Sequence, residues 1–155
     1  MLKEYKGLII SILIPLGLGL LVGLLTQGGV SNLENLVLPS FQPPGWVFAV
    51  VWPILYTLMG ISAYLIDTSY SCYSGTCLII YYVQLLVNLL WSIIFFVLEL
   101  KLFAFIWIIL LDILVIYMLW CFLGVNKKAA YLQIPYLLWI LFATFLNFSI
   151  YVLNR

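Results

Sequence analysis

The chain has 155 residues, of which 67% are hydrophobic and 7% are charged, and its formal net charge is +1. Soluble domains carry about 25% charged residues, so this composition, with a mean hydropathy of +1.27, excludes a water-soluble globular domain and indicates an integral membrane protein. The near-zero net charge gives no electrostatic basis for binding nucleic acid.

Five apolar segments are each close to the roughly 20 residues that a helix needs to cross the hydrocarbon core. Strict alternation of apolar and polar residues is absent, which favours helices over a membrane barrel. The first segment has no small-residue cleavage site and is too long for a signal peptide. We therefore predict an all-α membrane protein, a five-transmembrane-helix bundle that forms a single domain over residues 1–155, with spans at 7–26, 46–66, 77–98, 102–123 and 129–153.

The first span carries a narrow face of small residues. Ser11, Pro15, Gly19 and Gly23 recur every four residues, and the Gly19/Gly23 pair allows another helix to approach closely. Packing inside one subunit is the favoured interpretation of this face, with a dimer interface or a scaffold role as the alternatives.

The longest polar break, residues 27–45, follows the first span. A connection of this length is usually functional or disordered. It nevertheless contains enough apolar surface to pack as a lid over a pocket at the mouth of the bundle, contributed by Leu33, Leu36, Val37, Leu38 and Phe41.

The third span carries a stripe of polar residues within an apolar helix. Amide groups inside a membrane must find hydrogen-bond partners, so the stripe is expected to face the bundle interior. Interhelical hydrogen bonding and a ligand-facing surface both remain open as interpretations. At helical spacing, the stripe consists of Gln84, Asn88, Ser92, Phe95 and Glu99.

Matching aromatic faces occur on the second and fifth spans. Large rings alternate there with small side chains, which would leave room for a flat molecule. A mostly hydrophobic lining with a few polar groups is the usual composition of a small-molecule site. Core packing or an interfacial aromatic belt is the competing interpretation. The faces consist of Trp52, Tyr56, Met59 and Ala63 on the second span and of Tyr136, Trp139, Ala143 and Asn147 on the fifth.

Asp112 is the one ionisable group deep inside a span, where a charged side chain costs at least ~2.5 kcal/mol. We expect a structural hydrogen bond for it, with a carbonyl freed by Pro53 or Pro135 as a candidate partner, rather than a proton relay. Cys72 and Cys77 match no metal pattern, and we expect free thiols because their loop is assigned to a reducing compartment.

Orientation and catalytic chemistry can also be predicted from residue types. Lys3, Lys6, Lys127 and Lys128 share one side of the membrane, which places the N-terminus in the cytoplasm. The chain contains no histidine and its five acids are scattered, so we predict no metal site, no cofactor and no conventional hydrolytic catalysis.

Several motifs together resemble the TspO/translocator protein family. The second helix begins with PPGWVF at 43–48 and continues with VWPILY at 51–56, and Asp112 matches the fourth helix. The third helix carries Gln84, Asn88 and Trp91 before Phe95-Phe96, and the fifth carries Pro135-Tyr136, Trp139, Ala143-Thr144 and Leu146-Asn147. The resemblance covers residues 8–154.

The resemblance implies a five-helix membrane protein of the bacterial cell membrane, commonly a homodimer. It implies a receptor or sensor for porphyrins such as protoporphyrin IX and for isoquinoline carboxamide or benzodiazepine-type ligands, with a transporter of lipophilic molecules as the alternative. By motif, the pocket would contain Trp52, Tyr56, Asn88, Trp91, Trp139 and Ala143, to which the residue patterns add Gln84, Ser92, Tyr136 and Asn147. It also implies light-dependent degradation of protoporphyrin, for which Trp52 and Trp139 would be the catalytic candidates.

Two departures narrow these expectations. Phe148 stands where eukaryotic members have a tyrosine in a proposed sterol motif, which argues against sterol binding. The absence of histidine removes the commonest axial ligand of haem, so a metal-free porphyrin is the expected form, its carboxylates within reach of Lys101 or Arg155.

Overall fold

The protein is an all-α bundle. The computed structural model describes residues 2–32 and 35–155. Five segments are long and apolar enough to cross a membrane, α5 and α6 together forming the fifth, at Lys127–Leu153. The helices are α1 (Leu2–Asn32), α2 (Gly45–Asp67), α3 (Ser74–Ser92), α4 (Lys101–Val125), α5 (Lys127–Leu132) and α6 (Ile134–Leu153), and α3 continues as a π-helical turn at Ile93–Val97. The predicted fold class and five spans are confirmed.

The first helix is longer than predicted. It continues to Asn32 rather than ending at residue 26, so part of the predicted loop 27–45 is helical. Gly29 allows this extension to pack closely on the bundle, because any Cβ there would collide with the carbonyl oxygen of Phe96 in the π-helical turn. Close packing at Gly29 holds this last part of α1 against the bundle.

The predicted face of small residues on α1 is only partly an interface. Gly19 lies directly against the ring of Tyr56 on α2, whereas a Cβ at Gly23 would have nothing within 4 Å. The prediction that Gly19 and Gly23 act as a pair is therefore wrong. Each residue turns an α-helix by about 100°. Over the twelve residues from Ser11 to Gly23 the side-chain direction therefore changes by roughly 120°, and Gly23 faces away from the bundle.

The helices surround an interior that is bridged by side chains. α1 packs on α2 and on the π-helical turn, α4 lies between α3 and α6, and α5 packs on α2. The backbones of α2 and α6, and those of α3 and α6, approach each other at few points in the described part of the chain. Polar and aromatic side chains bridge the space between these helices.

The connection between α1 and α2 covers the end of the bundle, as predicted. Leu36 and Leu38 pack against the core, whereas Leu33 lies outside the described residues. The Val37 backbone N–H donates to Asn154 Oδ1, and Asn154 Nδ2 donates to the Val37 carbonyl, both at 2.9 Å. These paired bonds fix the loop to the end of α6, and we call residues 35–44 the lid.

The expectation of two free thiols is wrong for Cys77. Cys77 forms a disulfide with Cys121 of α4, while Cys72 is free and exposed. α3 and α4 run antiparallel and adjacent, which brings residues 44 apart in sequence together. The prediction considered only the nearby Cys72 as a possible partner of Cys77 and therefore missed this contact.

Candidate functional site

The polar stripe of α3 faces the interior over most of its length. Gln84 and Asn88 are no more than 1% exposed and Phe95 is buried, while Ser92 is half-buried. Glu99 is exposed and has a φ of 54°, so its predicted place in the stripe is wrong. The π-helical turn at Ile93–Val97, marked by the Leu98 N–H donating to the Ile93 carbonyl, adds a residue to the turn and shifts the following positions off the stripe.

Two direct hydrogen bonds join α3 to α6 across the interior. The Tyr136 hydroxyl donates to Gln84 Oε1 at 2.8 Å, and Trp91 Nε1 donates to Asn147 Oδ1 at 3.2 Å. Asn147 Nδ2 also donates to the Lys101 carbonyl at the start of α4. Interhelical bonding is therefore confirmed for these groups, and Trp91 and Asn147 act first as a link between helices.

Three other donors in the same interior have no acceptor. Within the described part of the chain, Gln84 Nε2, Asn88 Nδ2 and Trp139 Nε1 are buried and without a hydrogen-bond partner. Leaving a buried donor unpaired costs about 1–3 kcal/mol. The Tyr56 hydroxyl lies near the Asn88 side chain. The aromatic face of α2 therefore lies beside the donors of α3. The site thus offers donors to a molecule that brings acceptors.

Aromatic rings form the wall next to these donors. Trp52 stacks on Tyr56 with ring centroids 5.4 Å apart, and Trp139 meets Phe48 edge-on at 5.6 Å. Trp139 also contacts Phe142. Small Ala143 is buried on the same helix. The rings of α2 and α6 therefore meet where the two backbones are apart.

The aromatic wall continues to the lid. Phe41 stacks on Phe145 at 5.2 Å and contacts Phe142 edge-on at 6.4 Å. Phe142 in turn touches Trp139 at 5.8 Å. Ring contacts therefore run without a break from Phe41 of the lid to the indole of Trp139.

Gln133 and Tyr81 are polar residues of the interior that the sequence analysis did not identify. Both amide atoms of Gln133 and the hydroxyl of Tyr81 are buried without a partner among the described residues. Tyr81 precedes Gln84 by three residues and Gln133 precedes Tyr136 by three. The helical periodicity that identified the polar faces of the third and fifth spans, extended by one turn toward the N-terminus of each, would have identified Tyr81 and Gln133.

Asp112 has the structural role expected for it, with a different partner. Thr144 Oγ1 of α6 donates to Asp112 Oδ2 at 2.8 Å. The expectation of a bond near Pro53 or Pro135 is wrong, because α4 packs along α6 and brings Asp112 to Thr144 instead. Asp112 thus links α4 to α6, and its Oδ1 is buried without a hydrogen-bond partner among the described residues.

These features define a class of protein: a helical membrane protein with an internal site of aromatic rings and unpaired amide and indole donors. Residues 11–153 match the TspO/MBR family, and the chain belongs to this family.

Several curated relatives are similar over most of the chain. A protein named Tryptophan-rich protein TspO from Archaeoglobus fulgidus is 38% identical over 148 residues, covering 95% of this chain and 96% of the relative. A Tryptophan-rich sensory protein from Cereibacter sphaeroides is 35% identical, covering 78% of this chain and 75% of the relative. The Translocator protein of Homo sapiens is 31% identical, with coverages of 73% and 69%. The chain is thus an integral membrane protein of a receptor and sensor family.

Proposed function

We propose that this protein binds a flat, lipophilic molecule rich in hydrogen-bond acceptors, a metal-free porphyrin of the protoporphyrin IX type, between α2, α3 and α6. The observation that carries the proposal is the set of three buried, unpaired donors on Gln84, Asn88 and Trp139. A porphyrin supplies carboxylate oxygens as acceptors and a flat π-surface for the surrounding aromatic rings. Pairing these donors would recover the free energy that the free protein loses by burying them.

The position of the rings supports this ligand shape. The Trp52–Tyr56 stack and the Trp139–Phe48 contact lie between backbones that are not closely packed. Trp52 and Trp139 are both half-buried, so they can turn to admit a ring system. Lys101 lies at the lid end of the bundle, where it can meet a porphyrin carboxylate.

A Soret-band titration of the purified protein with protoporphyrin IX tests the binding proposal. Asn88→Leu and Trp139→Phe each remove one unpaired donor, and we expect each to weaken binding roughly three- to tenfold, the value of one neutral hydrogen bond. Trp120→Phe is the matched control because Trp120 is 70% exposed on the outer surface of α4. Equal affinities for all four proteins would contradict the proposal.

We also propose that light drives oxidation of the bound porphyrin in this site. Molecular oxygen, activated by the excited porphyrin, would add across a methine C=C bond, and cleavage would leave two C=O groups that retain both oxygen atoms. Trp52 and Trp139 would stand beside the excited ring as oxidisable indoles and restrict escape of reactive products.

Loss of Soret absorbance under illumination tests this second step. We expect faster or more selective decay with the wild type than with Trp52→Phe or Trp139→Phe, and wild-type behaviour for Trp120→Phe. Identical decay in all samples and in protein-free micelles would refute a specific photochemical role while leaving the binding proposal intact.

Three further expectations from the sequence concern other ligands, the oligomeric state and the orientation in the membrane. Isoquinoline carboxamide and benzodiazepine-type molecules are flat and carry carbonyl acceptors, so we propose that they compete for the same donors. We further propose a homodimer in a bacterial cell membrane with the N-terminus in the cytoplasm. Competition in the Soret titration and cross-linking in membranes would test these two points separately.

A further inference from the structure

A second cleft lies at the opposite end of the bundle from the lid. It has a volume of about 240 Å³ and is formed where the first part of α1 meets the end of α2 and the start of α3. Pockets for drug-sized ligands usually have volumes of roughly 300–1,000 Å³. The cleft is therefore too small for a tetrapyrrole and differs in position and size from the site proposed above.

The cleft is amphipathic along its length. Asp67, the last residue of α2, lines it together with the hydroxyl-bearing residues Ser11 and Tyr82. Ile10 and Ile14 line it on α1. From Gly7 to Ile14 the helix rises about 10 Å, so the cleft leads from the carboxylate into the apolar part of the bundle. This shape fits a molecule with a polar head and a hydrocarbon chain.

The charges at the mouth indicate which head group fits. Asp67 is exposed and has no ion pair with another described residue. Lys6 is exposed and directly precedes Gly7, which lines the cleft. Among the side chains that the structure describes, Asp67 at the cleft and Lys6 beside it match a zwitterion that carries an ammonium group and a phosphate.

We propose that this cleft binds one primary-ammonium phospholipid of the phosphatidylethanolamine type, with its ammonium group on Asp67, its phosphate toward Lys6 and one acyl chain along Ile10 and Ile14. A primary ammonium donates hydrogen bonds to a carboxylate, whereas the quaternary ammonium of phosphatidylcholine has no N–H to donate. The cleft therefore distinguishes two lipids of equal net charge. This proposal does not depend on porphyrin binding at the other site.

Native mass spectrometry of the purified protein with matched phospholipids tests the proposal. Phosphatidylethanolamine, phosphatidylcholine and phosphatidylglycerol with identical acyl chains are offered at equal concentration. We expect phosphatidylethanolamine to be retained roughly three- to fivefold more than phosphatidylcholine, the upper part of the range for an exposed ion pair. Equal retention, or a preference for phosphatidylglycerol, would overturn the proposal.

Two pairs of variants separate the head group from the chain. Asp67→Asn should abolish the preference for phosphatidylethanolamine, whereas Glu99→Gln, which changes an acid at the other end of the bundle, should preserve it. Ser11→Leu fills the cleft and should reduce retention of both zwitterionic lipids, whereas Leu13→Phe on the outward face, where Leu13 is 60% exposed, should not. A preference that survives Asp67→Asn, or equal effects of the two α1 variants, would overturn the proposal.

The same variants distinguish this proposal from the proposed function. Asp67→Asn should bind protoporphyrin IX with wild-type affinity, because Asp67 is not part of the aromatic and amide site. Loss of lipid preference with unchanged porphyrin binding is the expected result. Loss of porphyrin affinity in Asp67→Asn would contradict the independence of the two sites.

Discussion

The contact between α1 and α2 at Gly60 allows a quantitative test of the packing. A Cβ at Gly60 would lie 2.5 Å from Ile12 Cα and 2.6 Å from the Ser11 carbonyl oxygen, whereas ordinary contacts begin at 3.4 Å. Gly60→Ala therefore forces two helix backbones apart by about an ångström. Overpacking of this kind typically costs ~1–3 kcal/mol, and because the obstacle is backbone we expect the upper part of that range.

Gly23→Ala is the matched control for this prediction. A Cβ at Gly23 meets nothing within 4 Å, so alanine there should stabilise the helix by up to ~1 kcal/mol. At roughly 2–4 °C per kcal/mol for a chain of this size, thermal unfolding in detergent should show Gly60→Ala lower by several degrees and Gly23→Ala equal to wild type or slightly higher. Unchanged stability of Gly60→Ala, or equal losses in both variants, would refute the close α1–α2 contact.

Two further predictions concern links between helices. Trp91→Phe leaves Asn147 Oδ1 without its donor, and we expect a loss of ~1–3 kcal/mol in the free energy of unfolding, measured by chemical denaturation in mixed micelles; an unchanged value would contradict the Trp91–Asn147 bond. A maleimide should label only Cys72 in the denatured, unreduced protein and should also label Cys77 and Cys121 after reduction, as counted by intact mass; three labels without reduction would contradict the disulfide.

The number and type of helices could be predicted because lipid imposes strict rules on the chain. A span needs about 20 apolar residues and must satisfy its own backbone hydrogen bonds, so composition locates the five spans, although it does not reveal the break between α5 and α6. The end of α1 could not be located in this way, because the polar residues 27–32 read as a loop, whereas in the structure they continue the helix and Gly29 packs on Phe96, a residue far away in sequence.

The residues of the interior site could be predicted wherever the helix keeps regular α-helical spacing. Gln84 and Asn88 follow α-helical spacing and are buried as expected, whereas Glu99 lies beyond the π-helical turn and is not. Pairings between helices were not predictable. The bonds from Trp91 to Asn147 and from Thr144 to Asp112 depend on which helices are neighbours, and a single sequence does not contain that information.

The most direct test of the central claim is to locate bound porphyrin among the tryptophans. In protein with ¹⁵N-labelled indoles, assigned by single Trp→Phe variants, protoporphyrin IX should shift the Nε1–H resonances of Trp52 and Trp139 strongly. Trp107, whose indole already donates to the Val87 carbonyl at 2.9 Å, and exposed Trp120 should change little. Shifts confined to Trp120, or no shift at Trp139, would show that the unpaired donors do not form the binding site.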